Sequence, residues 1–276
     1  MEETLFSSYY DLQISFNHKC IKMLDFPGVD SHSHDVFEFI YLNKGSLTYI
    51  IDEKTFKVEE DSLIITRPGN LHMINFDDSL IYDRHNIIFE EGIVFPEIYE
   101  RLARCPDVIS CKNHPQIGEL FRKADFYCSH FSGDALKNVL SHLIDEIAYN
   151  TVILSGNTSE EAACDTNPLF ARVIEYIDNN LTKDFTLETL CSELYISKSQ
   201  LNNIFREHLN ITPKKYVALK RLNYAQKMLQ QGYGATKVFE QCGFFDYSAF
   251  YRSYKNHFGY SPSEELTRHT IRNIMC

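Results

Sequence analysis

His32, His34 and Glu38 stand two and four residues apart, and His72 follows a Pro68-Gly69-Asn70-Leu71 turn. Three imidazoles and a carboxylate are a donor set suited to a zinc, iron, nickel or manganese ion. The same groups can instead wall a polar pocket for a small molecule or pack as a core. Arg67, beside the turn, can pair with an anionic or hydroxylated ligand, or lie on the surface. Phe39, Tyr41 and Tyr49 can stack on a sugar, or serve as core.

Such residues need strands to aim them. Phe37 to Leu42, Leu47 to Ile51, Thr55 to Val58, Leu63 to Thr66 and Ile81 to Phe89 are β-branched or aromatic runs separated by Asn43-Lys44-Gly45, Asp52-Glu53-Lys54 and Arg67-Pro68-Gly69-Asn70. Many short strands with hairpin turns predict an antiparallel β-barrel or jelly roll. Residues two or four apart on a strand share a face, so His32, His34 and Glu38 can all point inward. The spacing HxHxxxE, six residues to Gly45, and the later Pro-Gly turn leading to His72 are similar to the two motifs of the cupin barrel. In regulators with this barrel the resemblance implies an effector pocket or a packed core. No cofactor is required, and a divalent metal on His32, His34, Glu38 and His72 is the one that fits.

From Val94 to Ile153 the pattern turns helical, with Leu136, Leu140, Leu143 and Ile147 on one face and Val139 and Ile144 beside it. Such a stripe packs on the barrel or forms a dimer seam, and a homodimer is the expected state. Ser155 to Asn167 is small, polar and acidic and reads as a linker. The expected division is a barrel domain over 1–154, the linker over 155–167 and a helical domain over 168–276.

In that last part the grammar of two short helices and a tight turn occurs twice. The first copy carries Leu187, Leu190, Cys191 and Leu194, a break with Ser197 as N-cap, then Leu201, Ile204 and Phe205. The second runs through Val238, Phe239 and Cys242, turns at Gly243 and Phe244, and continues with Phe250 and Tyr254 to Gly259 and Pro262. One amphipathic helix, capped by Thr212 with Pro213 in its first turn, joins them. Helix-turn-helix units place the second helix in the major groove, and two held about 34 Å apart read successive grooves. The first recognition helix leaves Ser199, Asn202, Asn203 and Arg206 to the groove with Lys198 at its start; the second leaves Tyr247, Ser248, Arg252 and Lys255. Asparagine suits an adenine edge, arginine a guanine edge, and the lysines suit phosphates. A solvated helix face is the bland alternative for each residue taken singly.

The runs Arg221 to Leu229, Gly243 to Lys255 and Gly259-Tyr260-Ser261-Pro262 resemble the signature of AraC-type (AraC/XylS) transcription regulators over roughly the last hundred residues. The resemblance implies a bacterial DNA-binding regulator, more often an activator, with double-stranded DNA, a small effector such as a sugar, and RNA polymerase as partners. Two positions depart from the pattern: Phe239 replaces a small residue, and Ala235 replaces a larger aliphatic one. The aromatic-arginine pair usual after Ser261-Pro262 is replaced near Glu265-Leu266.

Charge divides the same way. The net charge is -11, yet residues 168–276 hold 14 basic and 10 acidic residues (+4), leaving 13 and 28 (-15) to the rest. A net +4 implies a basic face rather than a basic domain. The eight cysteines include no CxxC pair, which argues against a zinc cluster or a disulfide scaffold. With no signal-like or spanning apolar run, the chain is expected in the cytoplasm, off the membrane. The expected whole is a two-domain α+β protein, a non-enzymatic regulator; the alternative is a metal-dependent cupin enzyme with an accessory DNA-binding module.

Overall fold

Strand β4 (Phe37–Lys44) is buried on both faces through Leu42, and its alternation sorts the first half of the chain into two cores. Phe37, Phe39 and Tyr41 face one core, and Ile40 and Leu42 the other. The computed structural model describes residues 2–22, 29–52, 54–76, 81–156 and 167–265. Its chain divides into two compact units, Met1–Thr166 and Asn167–Cys276.

In the first unit β4 joins β1 (Glu2–Tyr10), β2 (Ile14–Lys22), β7 (Ser62–Thr66), β9 (Ile81–Phe89) and β10 (Val108–Ser110) in a six-stranded sheet ordered β1-β2-β9-β4-β7-β10. A second sheet is ordered β3-β8-β5-β6, from β3 (Val29–His32), β5 (Ser46–Ile51), β6 (Lys54–Glu59) and β8 (His72–Phe76). Leu47, Tyr49, Ile51, Phe56, Val58 and Ile74 of the small sheet bury against Ile40, Leu42, Ile64 and Tyr82 of the large one. The outer face of the large sheet is covered by α1 (Pro96–Leu102), α2 (Pro115–His130) and α3 (Gly133–Ser155). Leu136, Leu140, Leu143, Ile144 and Ile147 of α3 share that core with Phe37, Phe39 and Phe89, so the apolar stripe is consumed within one chain.

Differences from the sequence reading are specific. Strands β1, β2, β3, β8 and β10 come in addition to those expected, and β10 interrupts the stretch read as helical, pairing with β7. Helix α3 extends through Ser155, into the expected linker; residues 157–166 lie outside the described residues. The β1–β2 turn is tied to α3 through Asp11, which accepts the N–H groups of Gln13 and Ile14 at 2.7 Å and pairs with Lys137 at 3.0 Å. Burial works against its charge, but these bonds prevail and hold the carboxyl down at about 2.

The second unit is helical: α4 (Pro168–Asn180), α5 (Leu187–Leu194), α6 (Lys198–Leu209), α7 (Pro213–Gln230), α8 (Ala235–Gln241) and α9 (Tyr247–Phe258). Side-chain caps fix the starts: Asn167 caps α4, Thr186 and Ser197 form capping boxes, Thr212 caps α7, and Asp246 takes the N–H groups of Ser248 and Ala249. Arg221, buried in α7, donates to the carbonyls of Leu181 (2.9 Å) and Lys183 (3.2 Å) after α4 and lies over the Phe185 ring. Its guanidinium also abuts Gly243, where an added Cβ would fall 2.8 Å from Cζ. The two departures, Ala235 and Phe239, both sit at the margin of the core formed by Leu222, Met228, Val238, Phe250 and Tyr254. Glu265 is buried there and accepts from Tyr254 Oη at 2.7 Å and Gln230 at 3.1 Å, an internal clasp; Leu266 lies outside the described residues.

Two stability measurements follow. Gly243 has φ of 74° as well as the Arg221 contact, whereas Gly232 has φ of 90° with nothing within 4 Å of an added Cβ. In chemical denaturation Gly243→Ala should cost about 1–3 kcal/mol, and clearly more than Gly232→Ala; equal losses would mean that the Arg221 contact is immaterial. Because Asp11 is depressed from 3.8, its contribution is present above about pH 4 and lost as pH falls through about 2. Asp11→Asn should therefore lower stability at pH 7 by about 0.5–1 kcal/mol, solvent screening at this exposed turn limiting the effect, with the gap to the unsubstituted protein closing toward pH 2.

Candidate functional site: a histidine cluster at the barrel mouth and two exposed helices

Glu38 takes the inner face of β4 and is buried between the sheets. Its Oε2 lies 3.3 Å from His34 Nε2 and 3.2 Å from His72 Nε2, with the Thr66 hydroxyl donating at 3.5 Å. Asn86 donates to Oε1. Each imidazole is oriented from behind: Nδ1 of His34 is 2.9 Å from the Val36 carbonyl, and Nδ1 of His72 is 3.1 Å from that of Asn70. A carbonyl only accepts, so both Nδ1 atoms carry the proton and both Nε2 atoms face the acid. His72 Nε2 is buried and makes no aligned hydrogen bond despite its closeness to Glu38. His32 is exposed, with its ring 4.3 Å from that of His72, and the donor atoms of His32, His34 and His72 all lie within 4.8 Å of one another.

Electrostatics agree with this geometry. Burial works against the Glu38 carboxylate, but the hydrogen bond from His34 and the close His72 imidazole hold it well below the usual carboxylate range. Burial likewise disfavours a charged His34, yet Glu38 outweighs it and raises that imidazole above its ordinary value. A divalent cation beside Glu38 would replace the need for extra protons on the two Nε2 atoms, so the residues fit a metal. Deeper in, the space between the sheets is filled by Ile40, Leu42, Leu47, Phe56 and Ile64.

Four candidate ligand contacts are engaged elsewhere, and the three aromatics take the core alternative. Arg67 is engaged: its guanidinium donates to the Ala103 and Cys105 carbonyls and to Asp107, locking the segment before β10. Phe39 and Tyr41 fall on the opposite face of β4, in the core under the helices, by strand parity. Tyr49 does face inward, but its hydroxyl is bonded to Thr66 and its ring is fully buried. Thr66 and Asn86, which hold the Glu38 carboxylate, are additions that the sequence reading did not name.

The second unit exposes two helix faces built alike. In α6, Lys198, Ser199, Asn202, Asn203 and Arg206 are all exposed; in α9, Tyr247, Ser248, Arg252 and Lys255 are. Counted from their caps, Ser197 and Asp246, the helices present Ser199, Asn203, Arg206 and Ser248, Arg252, Lys255 at the same offsets. These positions recur at four and three residues, one stripe of a helix. Leu201, Ile204 and Phe205 hold α6 to its core, as Phe250 and Tyr254 hold α9. Asn202 donates to the Lys198 carbonyl at 2.9 Å, and Lys198 pairs with Glu188 at 2.5 Å, an exposed bond that phosphate can replace.

Comparison with known proteins agrees with both halves. Residues 24–124 match the AraC-like ligand binding domain, and residues 190–268 match a helix-turn-helix domain. The chain is 25% identical over 275 residues to the XylDLEGF operon transcriptional activator 1 of Pseudomonas putida, covering 95% of this chain and 74% of that one. It is 20% identical to the HTH-type transcriptional activator RhaS of Salmonella arizonae, covering 84% and 86%. Among solved structures, ToxT from Vibrio cholerae O395 matches at 13% identity over 93% of this chain and 98% of that one, with a TM-score of 0.39, too loose a likeness to carry function. No helix among the described residues is long and apolar enough to cross a membrane. With regulators as its relatives, the chain is a regulator rather than an enzyme bearing an accessory DNA module, and it belongs to the AraC/XylS family of transcription regulators, with an N-terminal ligand-binding domain and a C-terminal DNA-binding domain.

Proposed function

We propose that this chain activates transcription from operators read by α6 and α9 together, under control of a small effector that engages the His32, His34, Glu38 and His72 cluster. The observation that carries the reading is the pair of matched stripes, Ser199-Asn203-Arg206 and Ser248-Arg252-Lys255, on two helices rigidly capped and joined through α7. Its named relatives are activators, which supports the sign of regulation. The protein works as a cytoplasmic homodimer, with RNA polymerase as its protein partner. For the effector to act, it must bind two states of the protein with different affinity.

A divalent metal at the barrel mouth is a second reading of the same cluster. It is favoured by the two Nδ1 atoms fixed on carbonyls with both Nε2 atoms turned to Glu38. Either ligand stabilises the folded state by mass action.

Selection of bound duplexes from a random pool tests the reading of DNA. Two short motifs about 10–10.5 base pairs apart are expected; uniform, salt-sensitive retention would reject it. Arg252→Ala should cost about 1–3 kcal/mol on the selected duplex and relax preference at one position of one motif. An equal loss on random DNA would mean that Arg252 touches only phosphate. For the barrel, a metabolite or metal panel read by thermal shift should yield a ligand that raises Tm of the unsubstituted protein and has at least tenfold weaker effect on Glu38→Gln. A ligand acting equally on both would place the effector elsewhere.

A further inference from the structure

A second cluster of imidazoles lies on the helix side of the large sheet, facing away from Glu38. His18 of β2 and His85 of β9 are direct cross-strand partners with rings stacked 3.9 Å apart. They continue the parity of Phe16 and Ile87, so they point toward the helices, where Asp125 of α2 meets them. Asp125 Oδ2 lies 2.9 Å from His18 Nδ1 and 2.9 Å from His85 Nε2, and the three donor atoms lie within 4.8 Å of one another. The His85 side chain has no solvent exposure, while 27% of the Asp125 side chain is open, so the group is walled on one side and reachable from the other.

His18 is set as a metal ligand is set. Its Nε2 is backed by the Asp83 carboxylate at 3.1 Å, which leaves Nδ1 for the centre of the cluster. That Nδ1 is buried and makes no aligned hydrogen bond, although the Asp125 oxygen is close. An N–H aimed at a carboxylate would be in line with it, as His85 Nε2 is with the same oxygen at 2.9 Å; an ion would take the place of that one bond, while His18 Nδ1 is already free of such alignment. Ligands at about 2.0 Å around a tetrahedral zinc stand about 3.3 Å apart, so the two 2.9 Å contacts of Asp125 need to open by a few tenths of an ångström, and the stacked imidazoles must spread apart as they turn toward the ion. The other nitrogen of His85 faces Asn43 Nδ2 at 3.0 Å. Turning that amide presents its oxygen to a protonated Nδ1, as ligation through Nε2 requires, at the loss of the 2.8 Å Asn43–Asp83 bond. Ser7 donates to the second oxygen of Asp125 and holds the carboxylate in place.

We propose that His18, His85 and Asp125 form a site for a zinc-class divalent cation, with solvent as the fourth ligand, that pins α2 to strands β2 and β9 and is separate from the cluster at the barrel mouth. Such a tie would make the helix layer of the ligand-binding domain depend on metal as well as on effector.

The test uses the full chain carrying His34→Gln and His72→Gln, stripped with a chelator, then titrated with Zn²⁺ against a chromophoric competitor and with Co²⁺ for visible d–d absorption. One equivalent of Zn²⁺ and tetrahedral-type Co²⁺ bands are expected. Adding Asp125→Asn should weaken Zn²⁺ at least tenfold. In the otherwise unsubstituted protein Asp125→Asn should remove one equivalent, whatever the mouth cluster does; that measurement serves if the double variant does not fold. Absence of Co²⁺ bands with His18, His85 and Asp125 intact, or Zn²⁺ binding indifferent to Asp125→Asn, would overturn the site and leave a hydrogen-bonded histidine-aspartate cluster only.

Discussion

The two-residue period of strands in the middle of a sheet governs everything in the first unit. Strand β4 has neighbours on both edges and packing on both faces, so each of its side chains must join one core or the other. A one-residue slip of register would send Glu38 into the phenylalanines under α3 and Phe39 toward the histidines. The same parity separates the two histidine clusters, since β2 and β9 place His18 and His85 on the face opposite to the one Glu38 takes. Two clusters with related chemistry thus share one sheet without sharing a cavity.

In the second unit the comparable constraint is a single cation. Arg221 occupies a place where helix α7 passes the end of α4 and the turn of the second helix pair, and it satisfies two carbonyls that α4 leaves behind. Because its guanidinium also fills the space beside Gly243, the turn before α9 is held by the same group that terminates α4. Burial lowers the affinity of Arg221 for its proton, yet with carbonyls around it the charge is retained. The exposed stripes on α6 and α9 are free to be polar because packing decisions have been taken on the other face.

Much of this was legible before any coordinates. Helix caps at Ser197 and Thr212 and the Gly243 turn announce themselves because their chemistry is local. Strands β4 to β7 and β9 are recognisable as unbroken apolar runs. Strand β2 is harder: its helix-facing side reads Ile14, Phe16, His18, Cys20, and the change from apolar to polar side chains hides an alternation that is nevertheless regular. His85 disappears in the same way within β9, and Asp125 is one acid among several on an amphipathic helix. Their convergence is a product of sheet register and helix docking, which no local pattern encodes. Arg67 shows the reverse error, where a residue suited to a ligand is consumed by Asp107 and two carbonyls some forty positions downstream.

Helix α7 has 18 residues and is therefore about 27 Å long. Straight duplex repeats every ~34 Å, and on the proposed reading of DNA by α6 and α9 a stiff spacer shorter than that repeat favours DNA that curves toward the protein. The energy of that curvature depends on base steps lying between the two contacted segments. On that reading, sequence that no side chain touches enters recognition through its stiffness, and the length of one helix becomes a parameter of operator choice.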